Sequence, residues 1–301
     1  METFTHGRLT VALHDVGPSG SAPSGSAPSG STQAPSVVFI HNGGTSSTIW
    51  RHQVADLSAD HRVIAIDLPG FGESPLPAPA ADLQEMVDLV AALITDKGLA
   101  PALMVGNCMG SNIALRLTDQ DSHLVRGILV VNPLTAASFS GGHIGFMHTM
   151  SRFAGPTKAF RKVARHIRVP RPVAGMTLRF QLGREGVSQG LHKDAELLAC
   201  QTRADQLPAL IDVLDDMSAY GGVDDLRSAP PVPTWIVWGD QNRVLSRAKV
   251  SGLAERLGAE RVEVIEHCGH LAMLESPARV TAMIRELDRH VAGSRESEVP
   301  A

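Results

Sequence analysis

The chain has 301 residues, of which 43% are hydrophobic and 19% charged, enough for one large α/β domain or two modest ones. Its net charge of -4, without a long lysine and arginine run, gives no electrostatic case for nucleic acid or an anionic membrane, and no apolar stretch approaches the roughly 20 residues that cross a bilayer. A small molecule is the expected partner. Three scattered cysteines and a start without a secretory signal predict a soluble, cytoplasmic protein.

Short apolar runs of strand length recur along the chain. Residues 8–14 alternate like a half-buried strand, and His6-Gly7 would join them to a short first strand. Repeats of Pro, Ser, Gly and Ala then predict a flexible loop over 17–35. Buried strands are predicted at 36–40, 62–66, 102–105, 127–131, 234–238 and 261–265.

Helical spacing separates most of these strands. Helices are predicted at 50–58, 82–97, 111–118, 248–257 and 277–290. Alternation of strand and helix predicts an α/β fold, with a mostly parallel central sheet and helices on both faces.

The alternation is lost between the strands at 127–131 and 234–238. Helical pieces there, such as 146–153 and 195–217, predict a helical cap over 133–225, inserted into a core domain of 1–132 and 226–301. Apolar cap residues could line a pocket or simply form core; they are Phe146, Met147, Met150, Phe153 and Met176.

The segment Gly106-Asn107-Cys108-Met109-Gly110 lies between a predicted strand and a predicted helix. A sharp turn of this kind exposes its middle side chain, and flanking glycines are needed where a Cβ would collide with backbone. Amides at the start of the helix would lower the pKa of the thiol and favour the thiolate. Cys108 is thus a candidate nucleophile, although free cysteines are also often buried for packing alone.

Two further segments follow predicted strands and should lie at the same edge of the sheet. Asn42-Gly43 follows the strand at 36–40, so the amide of Gly43, or of Asn42, could hold an oxyanion together with the amide of Met109; the alternative is a glycine-rich turn. His270 follows the last strand, and ligands of open α/β sheets bind at the carboxyl edge. We therefore expect its imidazole to act as the base for Cys108.

In order along the chain, these segments resemble the landmarks of the α/β-hydrolase superfamily, which includes haloalkane dehalogenases, epoxide hydrolases and many esterases. The landmarks are residues 41–50, 67–74, 106–110, 238–242 and 269–270. The resemblance covers most of the chain outside the loop and the cap. It implies that the residue at the turn attacks the substrate, that the late histidine is the base and that Asp67 shapes a turn, and it leaves the substrate open.

The predicted nucleophile and one residue of the predicted oxyanion loop depart from the family pattern. Cys108 stands where Ser or Asp is common and resembles the thiol variants, such as dienelactone hydrolase. An ester-forming Asp is thereby excluded, which argues against dehalogenase and epoxide hydrolase chemistry. Asn42 replaces the usual Gly, and its amide could donate to substrate or brace the loop.

The acid of the family is also replaced. Its usual position holds Asn242, and the alternative position holds Asn132. Asn242 would orient His270 by a hydrogen bond, or Asp240 would reach the ring instead. A Cys–His pair tolerates this loss better than Ser–His, because a thiol with a pKa near 8.5 gives up its proton more readily.

The sequence thus predicts an acyl-transfer enzyme that hydrolyses an ester, thioester or lactone through an acyl-enzyme on Cys108. The alternatives are an acyltransferase, a biosynthetic lyase with His270 as base, and a non-catalytic ligand-binding homologue. The substrate would be a small acyl compound, free or linked to a carrier or to coenzyme A. No metal or organic cofactor is expected, and the histidines of the cap are expected at the surface or in a pocket; they are His143, His148, His166 and His192.

Overall fold

The structure, a computed structural model, describes residues 1–18, 34–143, 145, 167–225, 228–249 and 252–298. Its described residues form one eight-stranded sheet. The strands are β1 (Glu2–His6), β2 (Leu9–Val16), β3 (Ser36–Ile40), β4 (Arg62–Ile66), β5 (Ala102–Asn107), β6 (Val125–Val131), β7 (Thr234–Gly239) and β8 (Arg261–Ile265). They lie in the order β1-β2-β4-β3-β5-β6-β7-β8. β2 is antiparallel to β1 and β4, and all other pairs are parallel, which confirms the predicted mostly parallel sheet.

Helices cover both faces of this sheet. They are α1 (Arg51–Leu57), α2 (Leu83–Asp96), α3 (Met109–Gln120), α4 (Ala136–Ser140), α5 (Arg171–Gln181), α6 (Arg184–Ser188), α7 (Ala195–Gln201), α8 (Gln206–Asp215), α9 (Leu253–Arg256), α10 (Ala272–Glu275) and α11 (Pro277–Glu298). Val38 and Ile40 of β3 face the layer of α2 and α3, while Val37 and Phe39 face α1 and α11. β3, β5, β6 and β7 are buried at every residue, which explains their continuous apolar sequences. None of the described helices is long and apolar enough to cross a membrane.

We call the chain between β6 and β7 the insertion. Its described residues form helices and turns without a strand. The predicted piece 146–153 and most of the predicted loop 17–35 lie outside the described residues, and the division into core domain and cap remains a prediction.

Two predicted helices are interrupted. The predicted helix 195–217 is divided into α7 and α8, because Pro208 has no N–H and its ring would collide with the carbonyl four residues earlier; it is tolerated in the first turn of α8. The predicted helix 248–257 is reduced to α9, which begins after Gly252 at a φ of 82°.

The parallel strands bring distant segments together at one edge. β3, β5, β6 and β7 are neighbours, so the residues that follow Ile40, Asn107, Val131 and Gly239 lie side by side at the carboxyl edge. The loop after β8 completes this row and carries His270.

Candidate active site

Cys108 occupies a strained position between β5 and α3. Its backbone has φ 53° and ψ -108°, a conformation that non-glycine residues rarely adopt. A Cβ on Gly106 would overlap the carbonyl of Gly110, and a Cβ on Gly110 would overlap the carbonyl of Ile40. Such strain costs about 1–3 kcal/mol and persists only where the surrounding structure imposes it. The predicted sharp turn is therefore present, with Cys108 at its apex.

The Cys108 thiol is nearly enclosed, with 8% of the residue exposed. Burial raises the pKa of the thiol to about 12, although a hydrogen bond from the Met109 amide acts to lower it. Contrary to the expectation from sequence, desolvation outweighs the helix amides, because burial disfavours the charged form. The resting side chain is a neutral thiol.

His270 lies in the loop between β8 and α10 and is 1% exposed. Its amide donates to the carbonyl of Gln181 at 2.7 Å. Its carbonyl accepts from Asn132 Nδ2 at 3.1 Å and from Asn107 Nδ2 at 3.4 Å. Since Asn107 directly precedes Cys108, the two candidate residues share a backbone anchor. No hydrogen bond joins the thiol and the imidazole in the part of the chain that the structure describes.

The imidazole of His270 has no ionic support. Burial lowers the pKa of His270 to about 3, and Nδ1 has no hydrogen-bond partner among the described residues. The ring is neutral at ordinary pH and can accept a proton, but an imidazolium formed there would lack a stabilising carboxylate.

Both acid positions of the family hold amides that brace loops. Asn132 Oδ1 accepts from the Gly239 amide at 3.1 Å, while its Nδ2 holds the His270 carbonyl. Asn242 Oδ1 accepts from the amides of Val244 and Leu245 at 3.0 and 3.2 Å. The Nδ2 of Asn242 is buried without a partner among the described residues.

The remaining acid candidate, Asp240, is exposed, and its carboxylate accepts from the Cys268 amide at 3.1 Å. It has no hydrogen bond to His270 within the described chain. Among the described residues, neither Asn242 Oδ1 nor the Asp240 carboxylate accepts a hydrogen bond from the His270 ring.

The loop after β3 brings Gly43 close to the sharp turn at Cys108. A Cβ on Gly43 would lie 4.0 Å from Met109 Sδ, and the Gly43 amide makes no backbone hydrogen bond in the described chain. The side chain of Asn42 is engaged within the loop: Oδ1 accepts from Thr45 Oγ1 at 2.8 Å and from Asn107 Nδ2 at 3.1 Å, and Nδ2 donates to the Gly43 carbonyl at 3.0 Å. Asn42 thus braces the loop, and the oxyanion role of the Gly43 and Met109 amides stays a prediction.

The insertion covers this loop. Leu210 of α8 lies over Gly43, where an added Cβ would be 3.6 Å from Leu210 Cδ1. Gln201 Nε2, at the end of α7, donates to the Gly44 carbonyl at 3.1 Å. The insertion thus covers part of the loop that carries Gly43, which is itself half-buried.

Glu275 is a candidate positioning residue for His270 that was not predicted from the sequence. Its carboxylate is buried and accepts from four amides: Gly183 at 2.7 Å, Gly186 at 3.3 Å, Gly269 at 2.9 Å and Leu271 at 3.3 Å. Burial raises the pKa of Glu275 to about 6, although the four amides act to lower it. One carboxylate thus joins the loop on both sides of His270 to the insertion. An acidic residue ending the apolar run 271–274 was the available signal.

The other candidates from the insertion are dispersed. Met176 is 65% exposed, and Phe146, Met147, Met150 and Phe153 lie outside the described residues. His143 contacts the Arg243 carbonyl, His192 lines a surface groove, and His148 and His166 are not among the described residues. Within the described ranges, no group of three or more His, Cys, Asp or Glu residues could hold a metal ion.

Comparison with curated proteins finds relatives over most of the chain. It is 26% identical over 259 residues to the dihydrolipoyllysine-residue acetyltransferase component of the acetoin cleaving system of Pseudomonas putida; the match covers 84% of this chain and 64% of that protein. It is 24% identical over 267 residues to a monoacylglycerol lipase of Xenopus laevis, covering 84% of this chain and 74% of the lipase. The chain thus spans less than two thirds of the acetyltransferase component.

Solved structures show the same fold. A thermophilic esterase from Thermogutta terrifontis superposes with a TM-score of 0.71 at 21% identity, over 94% of each chain. The profile of the alpha/beta hydrolase family matches residues 37–283. The chain therefore belongs to the alpha/beta hydrolase family.

Proposed function

We propose that the protein is an acyl-transfer enzyme that hydrolyses an ester, thioester or lactone through an acyl-enzyme on Cys108. The observation that carries the proposal is the strained backbone at Cys108. It lies between two glycines at which an added Cβ would overlap backbone carbonyls. Strain of this kind is retained where it serves a site, since a packing cysteine needs no unusual backbone.

In the first half-reaction, the Cys108 sulfur attacks the carbonyl carbon while His270 accepts the thiol proton. The carbonyl oxygen becomes an oxyanion held by the amides of Gly43 and Met109. The tetrahedral intermediate then expels the leaving group, which takes the proton from His270. Because burial keeps both the thiol and the imidazole neutral, the proton moves during attack and no thiolate is stored beforehand.

In the second half-reaction, water attacks the thioester carbonyl while His270 accepts a proton from it. Collapse of the intermediate breaks the carbon–sulfur bond, releases the acid and returns the proton to the Cys108 sulfur. Asn132, Asn107 and Glu275 keep the His270 loop in place throughout.

Transfer to an alcohol, amine or thiol is favoured over hydrolysis if the insertion stays closed. Leu210 and Gln201 cover the loop that carries Gly43, so water competes poorly with an acceptor that binds beneath them. The similarity to an acetyltransferase component agrees with this version, and the similarity to a lipase agrees with hydrolysis.

A lyase is a second candidate, favoured by the neutral state of both groups. A neutral His270 could remove a proton from carbon, and a protonated Cys108 thiol could donate to the substrate instead of attacking it. In that case turnover would depend on His270 and would survive the loss of Cys108.

The test is intact mass spectrometry after incubation with an aryl ester or an aryl thioester. We expect one acyl adduct on the wild type, and none on Cys108→Ala or His270→Gln. Cys200→Ala and Cys268→Ala are matched controls, because both thiols are also buried, and should retain the adduct. Undiminished turnover in Cys108→Ala would exclude the acyl-enzyme and leave the lyase.

A further inference from the structure

Several cations without an ion pair border two neighbouring surface grooves. Away from the insertion, cations are commonly paired, as in Arg8–Glu85 at 2.6 Å, Arg62–Asp15 at 2.9 Å and Lys97–Glu2 at 2.7 Å. By contrast, five cations form no ion pair with any described residue. They are Arg171, Arg179, Arg184, Lys193 and Arg243, which we call the cationic strip.

The sequence around the first three cations of the strip is rich in positive charge. Between Asn132 and Glu185 there is no acidic residue, whereas the same stretch holds nine lysines and arginines. The residues of the insertion that lie outside the described ranges therefore supply no carboxylate for these cations. On a chain with a net charge of -4, this is a local excess of one sign.

The strip lines two grooves that share Arg179. The first, of about 430 Å³, is bordered by Arg171, Arg179 and Lys193, and its apolar lining includes Met176 and Leu198. The second, of about 310 Å³, is bordered by Arg179, Arg184 and Arg243. Neither groove is lined by an acidic residue. Both volumes fall in the range of sites for small molecules.

His192, in the lining of the first groove, experiences this charge. Burial lowers the pKa of its imidazole, and the positive charges of Arg179 and Lys193 lower it further. Arg179 and Lys193 thus both lie near His192 in the same groove.

The strip leads toward the candidate active site. Arg179 lies two residues before Gln181, whose carbonyl holds the His270 amide. A helix rises about 1.5 Å per residue, so Arg171 lies about 15 Å from Gln181 along α5, and Arg179 about 3 Å. Arg243 directly follows Asn242. The strip thus runs along α5 toward the residue that holds the His270 loop.

We propose that the cationic strip binds the phosphate groups of a coenzyme A thioester that delivers its acyl group to Cys108. The proposal rests on the acyl-transfer function above and names its substrate class. Guanidinium groups hold phosphate oxygens in pairs of hydrogen bonds, and the apolar floor suits the flat base of a nucleotide. The pantetheine arm would join phosphates bound on the strip to a thioester at Cys108.

The test is calorimetric titration of the full chain, carrying Cys108→Ala to prevent turnover, with coenzyme A. We expect Arg179→Glu to weaken binding at least tenfold, because Arg179 borders both grooves and charge-assisted hydrogen bonds are lost. Arg171→Glu should weaken binding to a smaller extent. Arg289→Glu is the matched control, since Arg289 is exposed on α11 and forms no ion pair with a described residue, and should bind within twofold of the parent.

Pantetheine, which has the arm but no phosphate, should bind at least tenfold more weakly than coenzyme A. Equal affinity of the Arg179→Glu and Arg289→Glu variants, or no binding of coenzyme A at millimolar concentration, overturns the proposal. Because binding is measured without turnover, these outcomes are independent of whether Cys108 forms an acyl adduct.

Discussion

Two buried histidines at opposite edges of the sheet have opposite environments. At the amino edge, His61 precedes β4, and its ring contacts Asp60 Oδ1 at 2.6 Å and Asp288 Oδ2 at 3.1 Å. Burial would lower the pKa of His61, but the hydrogen bonds and charges of Asp288 and Asp60 outweigh it and raise the pKa. At the carboxyl edge, burial alone acts on His270 and lowers its pKa.

The difference between the histidines extends to their surroundings. Asp288 also pairs with Arg126, and Asp60 pairs with Arg285, so ions at the amino edge tie α11 to the sheet. At the carboxyl edge, the Asn242 Nδ2 and the His270 Nδ1 are buried without partners among the described residues. The buried histidine at the amino edge is thus held by ions, whereas the one at the carboxyl edge has no charged partner among the described residues.

The largest expected effect is at Asp288. Asp288→Ala should lower the free energy of unfolding by about 3–5 kcal/mol, because it removes one partner from a buried cluster of charges. Asp240→Ala at the carboxyl edge is the control and should cost less than about 1 kcal/mol, since Asp240 is exposed. Urea unfolding measures both, and equal losses would contradict the contrast between the edges.

Glu275→Gln should loosen the junction of the His270 loop and the insertion. The new amide keeps one acceptor oxygen and turns an NH2 toward amides that need acceptors, at a cost of about 1–3 kcal/mol. Hydrogen exchange of peptides that contain Gly183, Gly186 and Gly269 should accelerate about tenfold or more. Glu185→Gln is the control, because Glu185 is exposed, and unchanged exchange in Glu275→Gln would remove its positioning role.

His270→Gln should make the protein more resistant to acid. The pKa of His270 is lowered from 6.5 to about 3, so its contribution to stability is present above pH 6.5 and is lost as the pH falls toward 3. At pH 5 the wild type has lost about 2 kcal/mol through this group, at 1.36 kcal/mol per pKa unit. Thermal unfolding at pH 5 and 7.5 should show a relative gain for the variant only at pH 5; an equal shift at both would refute a neutral, buried His270.

The sequence was sufficient to predict the strands of the sheet and the sharp turn at Cys108. The strand 36–40 matches β3, because a strand buried on both faces requires an unbroken apolar run, and the glycines around Cys108 reflect a local backbone constraint. A strand at 261–265 is also present as β8, but its prediction as buried is wrong, because β8 lies at the edge of the sheet and only Ile265 is buried. The break between α7 and α8 was also visible, in Pro208, once helix geometry is considered.

Other features of the site depend on contacts distant in sequence. Glu275 binds amides of Gly183 and Gly186, about 90 positions away, and backbone amides leave no trace in the sequence. The raised pKa of Cys108 depends on enclosure, while its local helix predicts the opposite shift. The local sequence thus predicted the position of the thiol at the turn, whereas tertiary packing determines its protonation state.

The smallest expected effect concerns His61 and has the opposite pH dependence from His270. Its pKa is raised above 6.5, so its contribution is fully present below pH 6.5 and is lost as the pH rises through the folded pKa. His61→Asn should cost about 1 kcal/mol at pH 6 and less at pH 9, because an uncharged ring pairs weakly with Asp60 and Asp288. His290→Asn is the control, since His290 is exposed beside Glu260. A loss that stays constant from pH 6 to 9 would show that His61 stabilises by packing, and the two edges would then not differ in ionic support at their histidines.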